Sequence, residues 1–239
     1  MGDKGMGEEM QSGGLICVAI GKGSVAEAIA AAEIASVEAD VVEIRVDALA
    51  DPVIEPFLTR IDRPLLFTCR PDWEGGFFAG PEESRLALLE EAVSRGAAFI
   101  DLELKAPQSS FDRLLTGLQA SFTKLIVSNH NFESTGSREE LLDILTAMKD
   151  KGADIGKIIT TATNFSDVLR VLQLQEDARK IGLPLIAFCM GRAGVISRLA
   201  TLELGGFMTY CAPDDGAGTA PGQISVTDMR RALKSLSID

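Results

Sequence analysis

The fold is decided by the stretch from residue 123 to residue 190, in which short apolar runs alternate with longer amphipathic ones. In order it reads TKLIVSNH (123–130), SREELLDILTAMKDK (137–151), DIGKIITT (154–161), FSDVLRVLQLQEDARKI (165–181) and PLIAFCM (184–190). The first, third and fifth runs have the nearly continuous apolar character of strands that are buried on both faces, whereas the second and fourth have helical spacing. The stretch therefore predicts parallel strands joined by crossover helices.

The same alternation extends in both directions from this stretch. Further strand-like runs, which bring the total to eight, span residues 14–20, 40–46, 64–70, 98–104 and 206–211. Eight strand-helix units in about 225 residues predict an α/β fold, a single-domain (β/α)8 TIM barrel. We expect the barrel domain to span residues 14–239 and a flexible N-terminal tail to span residues 1–13. A doubly wound open sheet is the alternative, but the turn after the first strand lacks the GxGxxG fingerprint of that class.

Composition limits the classes of partner. The chain has 239 residues, of which 46% are hydrophobic, and a formal net charge of -12, which argues against nucleic acid or an anionic membrane as a partner. No apolar run approaches the roughly 18 residues that span a bilayer, and the polar start lacks the apolar core of a signal peptide. The four cysteines form no CxxC pair, which predicts reduced thiols and no zinc site. We expect a cytoplasmic protein.

Charged residues share one face of two predicted strands. In a barrel of this kind the active site forms at the carboxyl ends of the strands, so polar residues there carry functional information. The period of two along a strand places Glu43 and Arg45 on one face of the second strand, and it places Asp101 and Glu103 on one face of the fourth. All four side chains can therefore point into the barrel.

Three further groups are predicted at the same end of the barrel. Arg70 ends the third strand, His130, the only histidine, ends the fifth, and Lys157 lies within the sixth. A buried lysine either pairs with a carboxylate or loses its proton and becomes a nucleophile. Each charged group also has a structural explanation: an ion pair at a strand end, a satisfied histidine, or a salt bridge from Lys157 to Asp101 or Glu103. Their convergence on one barrel mouth favours a catalytic site.

Two later segments indicate how a substrate is held. Arg198 falls in the first turns of the helix after the seventh strand, where a guanidinium suits a carboxylate or a phosphate, and Arg192 in the preceding turn is the next candidate. The segment 211–223 after the eighth strand is rich in glycine and proline. That composition is typical of a mobile lid, although an ordinary flexible loop has it too.

Short motifs in these segments occur in the order of a known family. They are EIRVD (43–47), FTCR (67–70), EGG (74–76), IDLE (100–103), VSNH (127–130), FE (132–133), GK (156–157), MG (190–191), SR (197–198) and APGQ (220–223). From about Ile16 to Asp228 the chain resembles the type I 3-dehydroquinate dehydratases of the shikimate pathway. It departs from their pattern at Thr219, where serine is common, and at Asn129 and Asn131, where tyrosine and aspartate commonly flank the histidine.

The resemblance implies a cis-dehydration of 3-dehydroquinate to 3-dehydroshikimate through a Schiff base on Lys157, with no metal and no organic cofactor. It implies that His130 transfers the protons and that Glu103 orients His130. It also implies a homodimer. The residues that it implies for substrate binding are Glu43, Arg45, Arg70, Met190, Arg198, Thr219 and Gln223.

Two other functions fit the residues. A class I aldolase would use the same barrel and the same lysine imine but would cleave a carbon–carbon bond, and its substrate is often phosphorylated. A catalytically silent barrel would bind a ligand or a protein, with Lys157 in a structural salt bridge. Trapping with borohydride and candidate ketones separates the three.

Overall fold

A computed structural model describes residues 14–216, 218–220 and 222–236, and it confirms the (β/α)8 barrel. The expected tail, residues 1–13, lies outside the described residues. The strands are β1 (Leu15–Ile20), β2 (Val41–Arg45), β3 (Leu65–Thr68), β4 (Phe99–Glu103), β5 (Lys124–His130), β6 (Ile155–Thr161), β7 (Leu185–Met190) and β8 (Met208–Cys211).

Helices alternate with these strands around the outside. They are α1 (Val25–Ala35), α2 (Glu55–Arg60), α3 (Glu82–Ser94), α4 (Gln108–Leu118), α5 (Arg138–Asp150), α6 (Phe165–Leu172), α7 (Leu174–Lys180), α8 (Val195–Glu203) and α9 (Val226–Leu236). The segment 165–181, predicted as one helix, is two helices that meet at Gln173, whose φ of -63° and ψ of -21° stay helical. None of the described helices is long and apolar enough to cross a membrane.

The strands form one parallel sheet that nearly closes on itself. The order of hydrogen-bonded neighbours is β7-β6-β5-β4-β3-β2-β1-β8. Between β8 and β7, the Phe207 N–H donates to the Leu185 carbonyl at 2.8 Å. The carboxyl ends of all eight strands therefore surround one opening, as the sequence predicts.

Alternate residues of each strand belong to two separate apolar clusters. In β6, Ile158 joins the outer cluster between the sheet and the helices, whereas Ile155 and Ile159 join the inner cluster within the barrel. Because side chains alternate along a strand, Lys157 shares the inner face, as predicted. The four cysteines are buried and free, which agrees with the prediction of reduced thiols.

Local sequence fixes the start of several helices. Ser24 and Asn164 accept hydrogen bonds from the backbone N–H groups of Glu27 and Asp167, at the starts of α1 and α6. Ser137 forms a reciprocal capping box with Glu140 at the start of α5. Such caps satisfy backbone donors that a helix leaves unpaired and contribute about 1 kcal/mol each. They define where each strand-helix connection ends.

Candidate active site

A cavity opens where the strands end, and it gathers nearly all of the residues that the sequence singled out. The predicted residues that line it are Glu43, Arg45, Arg70, His130, Lys157, Met190, Arg198, Thr219 and Gln223. Side chains to which the sequence assigned no role line it as well, including Glu74, Phe132, Phe188 and Tyr210. Asp101 and Glu103, which the sequence also places on an inward face, are absent from the lining.

Lys157 extends from β6 into this cavity and is 4% exposed. Its Nζ donates a hydrogen bond to Asp101 Oδ2 at 3.0 Å, and Glu43 Oε1 lies 3.7 Å from the same nitrogen. The ring centroid of Tyr210 lies 4.2 Å from Nζ. The ion pair that the structural explanation required is therefore present, with Asp101 rather than Glu103, and the amine still borders the cavity.

His130, at the end of β5, is held by Glu74. The Nδ1 atom of His130 lies 2.9 Å from Glu74 Oε1, and the backbone N–H of His130 donates to the same oxygen at 3.1 Å. The ring of Phe132 stacks on the imidazole with 6.0 Å between centroids. Because Glu74 occupies Nδ1, the other ring nitrogen, Nε2, is left for a ligand.

The surroundings of His130 and Glu74 favour the uncharged form of each side chain. Burial, with the neighbouring charges of Arg70 and Lys157, lowers the pKa of His130 well below its ordinary value. Burial also raises the pKa of Glu74 to about 7, in spite of the opposing charge of Arg70. At neutral pH the imidazole is uncharged and can accept a proton, which is what a general base requires.

The expected contact between Glu103 and His130 is wrong. Glu103 is fully buried, and its two oxygens accept hydrogen bonds from Arg70 at 2.7 Å and from Arg85 at 2.5 Å. Arg85 reaches Glu103 from α3, outside the strands. Because arginines occupy both of its carboxylate oxygens, Glu103 holds Arg70 and Arg85 in position. Glu74, not Glu103, contacts the imidazole.

Two glycines bring Glu74 under His130. After β3 the chain forms a short 3-10 turn, Asp72–Glu74, and then Gly75, which has a φ of 75°. A Cβ on Gly76 would lie 2.0 Å from the Arg70 carbonyl oxygen, so only glycine lets the chain fold back this closely. The motif EGG (74–76) is the signal that could have identified Glu74.

Arg70 is surrounded by carboxylates. Its guanidinium contacts Asp101 Oδ1 at 2.9 Å and Glu103 Oε1 at 2.7 Å, and it donates to the Ser128 hydroxyl at 2.7 Å. Burial alone would lower the pKa of Arg70, but the charges of Asp101 and Glu103 outweigh it and raise the pKa. Arg70 is thus a fixed cation whose charge is already balanced within the protein.

Arg198, on α8, is the opposite case. It is 1% exposed, and no carboxylate in the described ranges lies within ion-pair distance of it. Its Nη1 donates a long hydrogen bond to the Tyr210 carbonyl at 3.4 Å, and Nε has no hydrogen-bond partner among the residues that the structure describes. Burial lowers the pKa of Arg198 to about 10. A buried guanidinium without a counter-ion suits an anionic ligand.

The remaining predicted residues complete the walls of the cavity. Arg45 makes a bidentate pair with Asp47 at 2.8 and 2.6 Å, and Glu43 accepts a hydrogen bond from Thr68 at 2.8 Å. In the segment after β8, Gln223 Oε1 accepts from the Thr219 N–H at 2.8 Å. Arg192, the second candidate for binding an anion, is exposed and does not line the cavity.

Comparisons with known proteins point to one family. The family model described as type I 3-dehydroquinase matches residues 16–239. A 3-dehydroquinate dehydratase from Desulfotalea psychrophila is 53% identical over 215 residues, which cover 90% of this chain and 95% of the relative. A bifunctional 3-dehydroquinate dehydratase/shikimate dehydrogenase from Arabidopsis thaliana is 37% identical over 195 residues. The matched region covers 80% of this chain and 32% of that relative.

Solved structures show the same likeness. The type I 3-dehydroquinate dehydratase from Clostridium difficile, crystallised with covalently modified comenic acid, has a TM-score of 0.87 and is 31% identical, with 96% of this chain and 95% of that chain covered. The 3-dehydroquinate dehydratase from Geobacillus kaustophilus has a TM-score of 0.86 and 28% identity, with 94% and 93% covered.

Proposed function

Because the chain belongs to the type I 3-dehydroquinase family, we propose that it dehydrates 3-dehydroquinate to 3-dehydroshikimate through a covalent imine on Lys157. The chain is a hydro-lyase of the shikimate pathway, a type I 3-dehydroquinate dehydratase. The observation that carries the covalent mechanism is the presence of three groups in one cavity: the Lys157 amine, the His130 imidazole and the Arg198 guanidinium, which has no carboxylate partner among the described residues.

An imine supplies the acidity that the reaction needs. A proton beside a ketone is too weakly acidic for an imidazole to remove, whereas an iminium cation next to the same carbon takes up the electrons as an enamine. The Lys157 ammonium gives one proton to His130, and the resulting amine attacks the C3 carbonyl carbon. The carbonyl oxygen receives that proton from His130 and a second one from the nitrogen, and it leaves as water. The nitrogen of the iminium keeps one N–H and one positive charge. Asp101, at 3.0 Å from Nζ, can therefore accept a hydrogen bond both from the ammonium and from the iminium.

His130 moves the protons in this scheme. It accepts the C2 proton, and the resulting enamine expels the C1 hydroxyl, which leaves as water with a proton from the imidazolium. Water then hydrolyses the product imine and releases 3-dehydroshikimate and the free amine. We assign to Glu74 the orienting role that the resemblance gave to Glu103, since Glu74 Oε1 lies 2.9 Å from His130 Nδ1.

Arg198 is proposed to bind the substrate carboxylate. Arg198, which has no counter-ion in the described part of the chain, gains more from an incoming carboxylate than Arg70, which already has acidic partners. Thr219 and Gln223 would close over the bound substrate, and Met190 would pack on its ring. Glu43, Arg45 and Arg70 would bind ring hydroxyls.

The remaining expectations complete the proposal. We propose one catalytic domain over residues 14–239, a homodimer, no metal or organic cofactor, and a cytoplasmic location. Membership of the family favours dehydration over the carbon–carbon cleavage of an aldolase and over a silent barrel. Sedimentation of the purified chain tests the dimer.

The direct test of function is turnover. Purified protein is mixed with 3-dehydroquinate, and the conjugated enone of 3-dehydroshikimate is followed by its ultraviolet absorbance. Lys157→Met should abolish the signal, whereas Lys124→Met, which removes an exposed lysine paired with Asp154, should leave it unchanged. Absence of enone with the original protein, or equal rates for the Lys157 variant, would rule out the proposal.

A further inference from the structure

Two aromatic rings lie between the two cations to which the proposed function assigns the substrate. Phe188 on β7 and Tyr210 on β8, here called the ring pair, have centroids 6.2 Å apart and planes tilted by 47°. We propose that the ring pair sets the separation between the Lys157 amine and the Arg198 guanidinium, and so selects ketones whose carboxylate lies at the matching distance. This inference rests on the proposed function and adds specificity determinants to it.

Each ring of the pair contacts one of the two cations. Lys157 Nζ lies 4.2 Å from the centroid of Tyr210, and Arg198 Cζ lies 4.6 Å from the centroid of Phe188. A cation over an aromatic face is attracted by the ring quadrupole, more strongly when the pair is desolvated. Since both rings and both cations border the same cavity, the contact between the rings joins the two ends of the proposed substrate site.

The ring pair lies between β7 and β8, where the fewest backbone hydrogen bonds fix the distance between neighbouring strands. No ladder of strand hydrogen bonds joins β7 to β8 in the described part of the chain. The Phe207 N–H bond to Leu185 lies at the amino-terminal ends of these strands, away from the cavity. At the carboxyl ends, the contacts between Phe188 and Tyr210 and between Arg198 and the Tyr210 carbonyl span the gap. Side chains therefore determine the spacing on this side of the site.

The Tyr210 hydroxyl takes no part in this arrangement. It is buried and has no hydrogen-bond partner among the described residues. A buried hydroxyl without a partner destabilises the fold, so the ring is the part of Tyr210 that serves the site. Tyr210→Phe keeps the ring and removes only the hydroxyl, which makes it the matched control for Tyr210→Leu.

The test compares two ketones on these variants. One is 3-dehydroquinate, and the other is the same ring with hydrogen in place of the carboxylate. The measured quantity is the second-order rate at which borohydride traps each ketone on Lys157, together with kcat and KM for 3-dehydroquinate. Tyr210→Leu should lower the trapping rate of 3-dehydroquinate roughly tenfold, because a changed separation between the two cations weakens the charge-assisted contact of Arg198 with the carboxylate. The analogue should change less than about threefold, since Nζ keeps its hydrogen bond to Asp101 and the analogue has no carboxylate for Arg198 to bind.

The controls separate this inference from the proposed function. Tyr210→Phe should trap both ketones within about twofold of the original rates, since the cation–π contact is retained. If Tyr210→Leu fails to fold, Phe188→Leu should show the same loss of preference for the carboxylate. Equal losses for both ketones, or an equal effect of Tyr210→Phe and Tyr210→Leu, would overturn the inference while trapping in the original protein still supports the proposed function. No trapping in the original protein would overturn both.

Discussion

Replacing Arg198 with methionine should make the free protein more stable and the enzyme much weaker. Burial lowers the pKa of Arg198 well below its ordinary value, to about 10. The unfolded chain therefore holds this proton more tightly than the folded one, which destabilises the fold by about 3 kcal/mol at any pH well below 10. The hydrogen bond to the Tyr210 carbonyl and the stacking on Phe188 offset this by about 1 kcal/mol each.

The net gain for Arg198→Met is then about 1 kcal/mol, which raises the Tm of a chain of this size by roughly 3 °C. Arg70→Met is the matched control, because Arg70 is just as buried but contacts Asp101 and Glu103. Leaving those carboxylates without their cation should destabilise the fold by about 3–5 kcal/mol. Both are measured by thermal and urea unfolding without ligand.

Kinetics complete this prediction. Arg198→Met should raise KM for 3-dehydroquinate by roughly 100-fold, because a charge-assisted bidentate contact contributes about 3 kcal/mol. Arg198→Lys should restore only part of the loss, since an ammonium cannot bind both carboxylate oxygens in the same plane. If Arg198→Met destabilises the free protein as much as Arg70→Met and leaves KM unchanged, Arg198 is a structural residue and the carboxylate is bound elsewhere.

The other predictions concern proton transfer. His130→Ala should slow turnover by roughly 100-fold or more, the usual contribution of a general acid-base group, and near-normal turnover would refute that role. The ionised form of Glu74 keeps His130 Nε2 basic. Because the pKa of Glu74 is raised to about 7, turnover of the original enzyme should fall as the pH drops through about 7. Glu74→Gln should remove this limb of the pH–rate profile. Glu103→Gln should keep the acidic limb of the profile. It should destabilise the fold by about 3–5 kcal/mol, because Arg70 and Arg85 lose a shared carboxylate. Loss of the acidic limb in that variant would contradict the assignment to Glu74.

The barrel and most of its lining were predictable from the sequence because strand periodicity carries that information. Alternation within a strand assigns each residue to a face, so Glu43 and Lys157 were correctly expected inside the barrel. The order of strands then brings their carboxyl ends together. Arg198 could be singled out because it lies in the first turns of the helix after the seventh strand, at the end of the barrel where the active site forms.

The partner of His130 was not predictable in the same way. Glu74 lies outside any strand, and its position depends on a backbone reversal that Gly75 and Gly76 permit. Glu103 was assigned wrongly because Arg85, a residue of the outer helix α3, occupies one of its oxygens. Tyr210 was passed over because an aromatic residue in a strand is typical of the core; its contact with Lys157 emerges only when β6 and β8 are brought face to face.

The most direct test of the account is to identify the lysine that forms the imine. The protein is incubated with 3-dehydroquinate and borohydride, digested, and analysed by peptide mass. We predict that the mass of the reduced ligand appears on the peptide that contains Lys157, and that Lys157→Met abolishes it. An active enzyme that acquires no label, or one labelled at another lysine, would contradict the central claim.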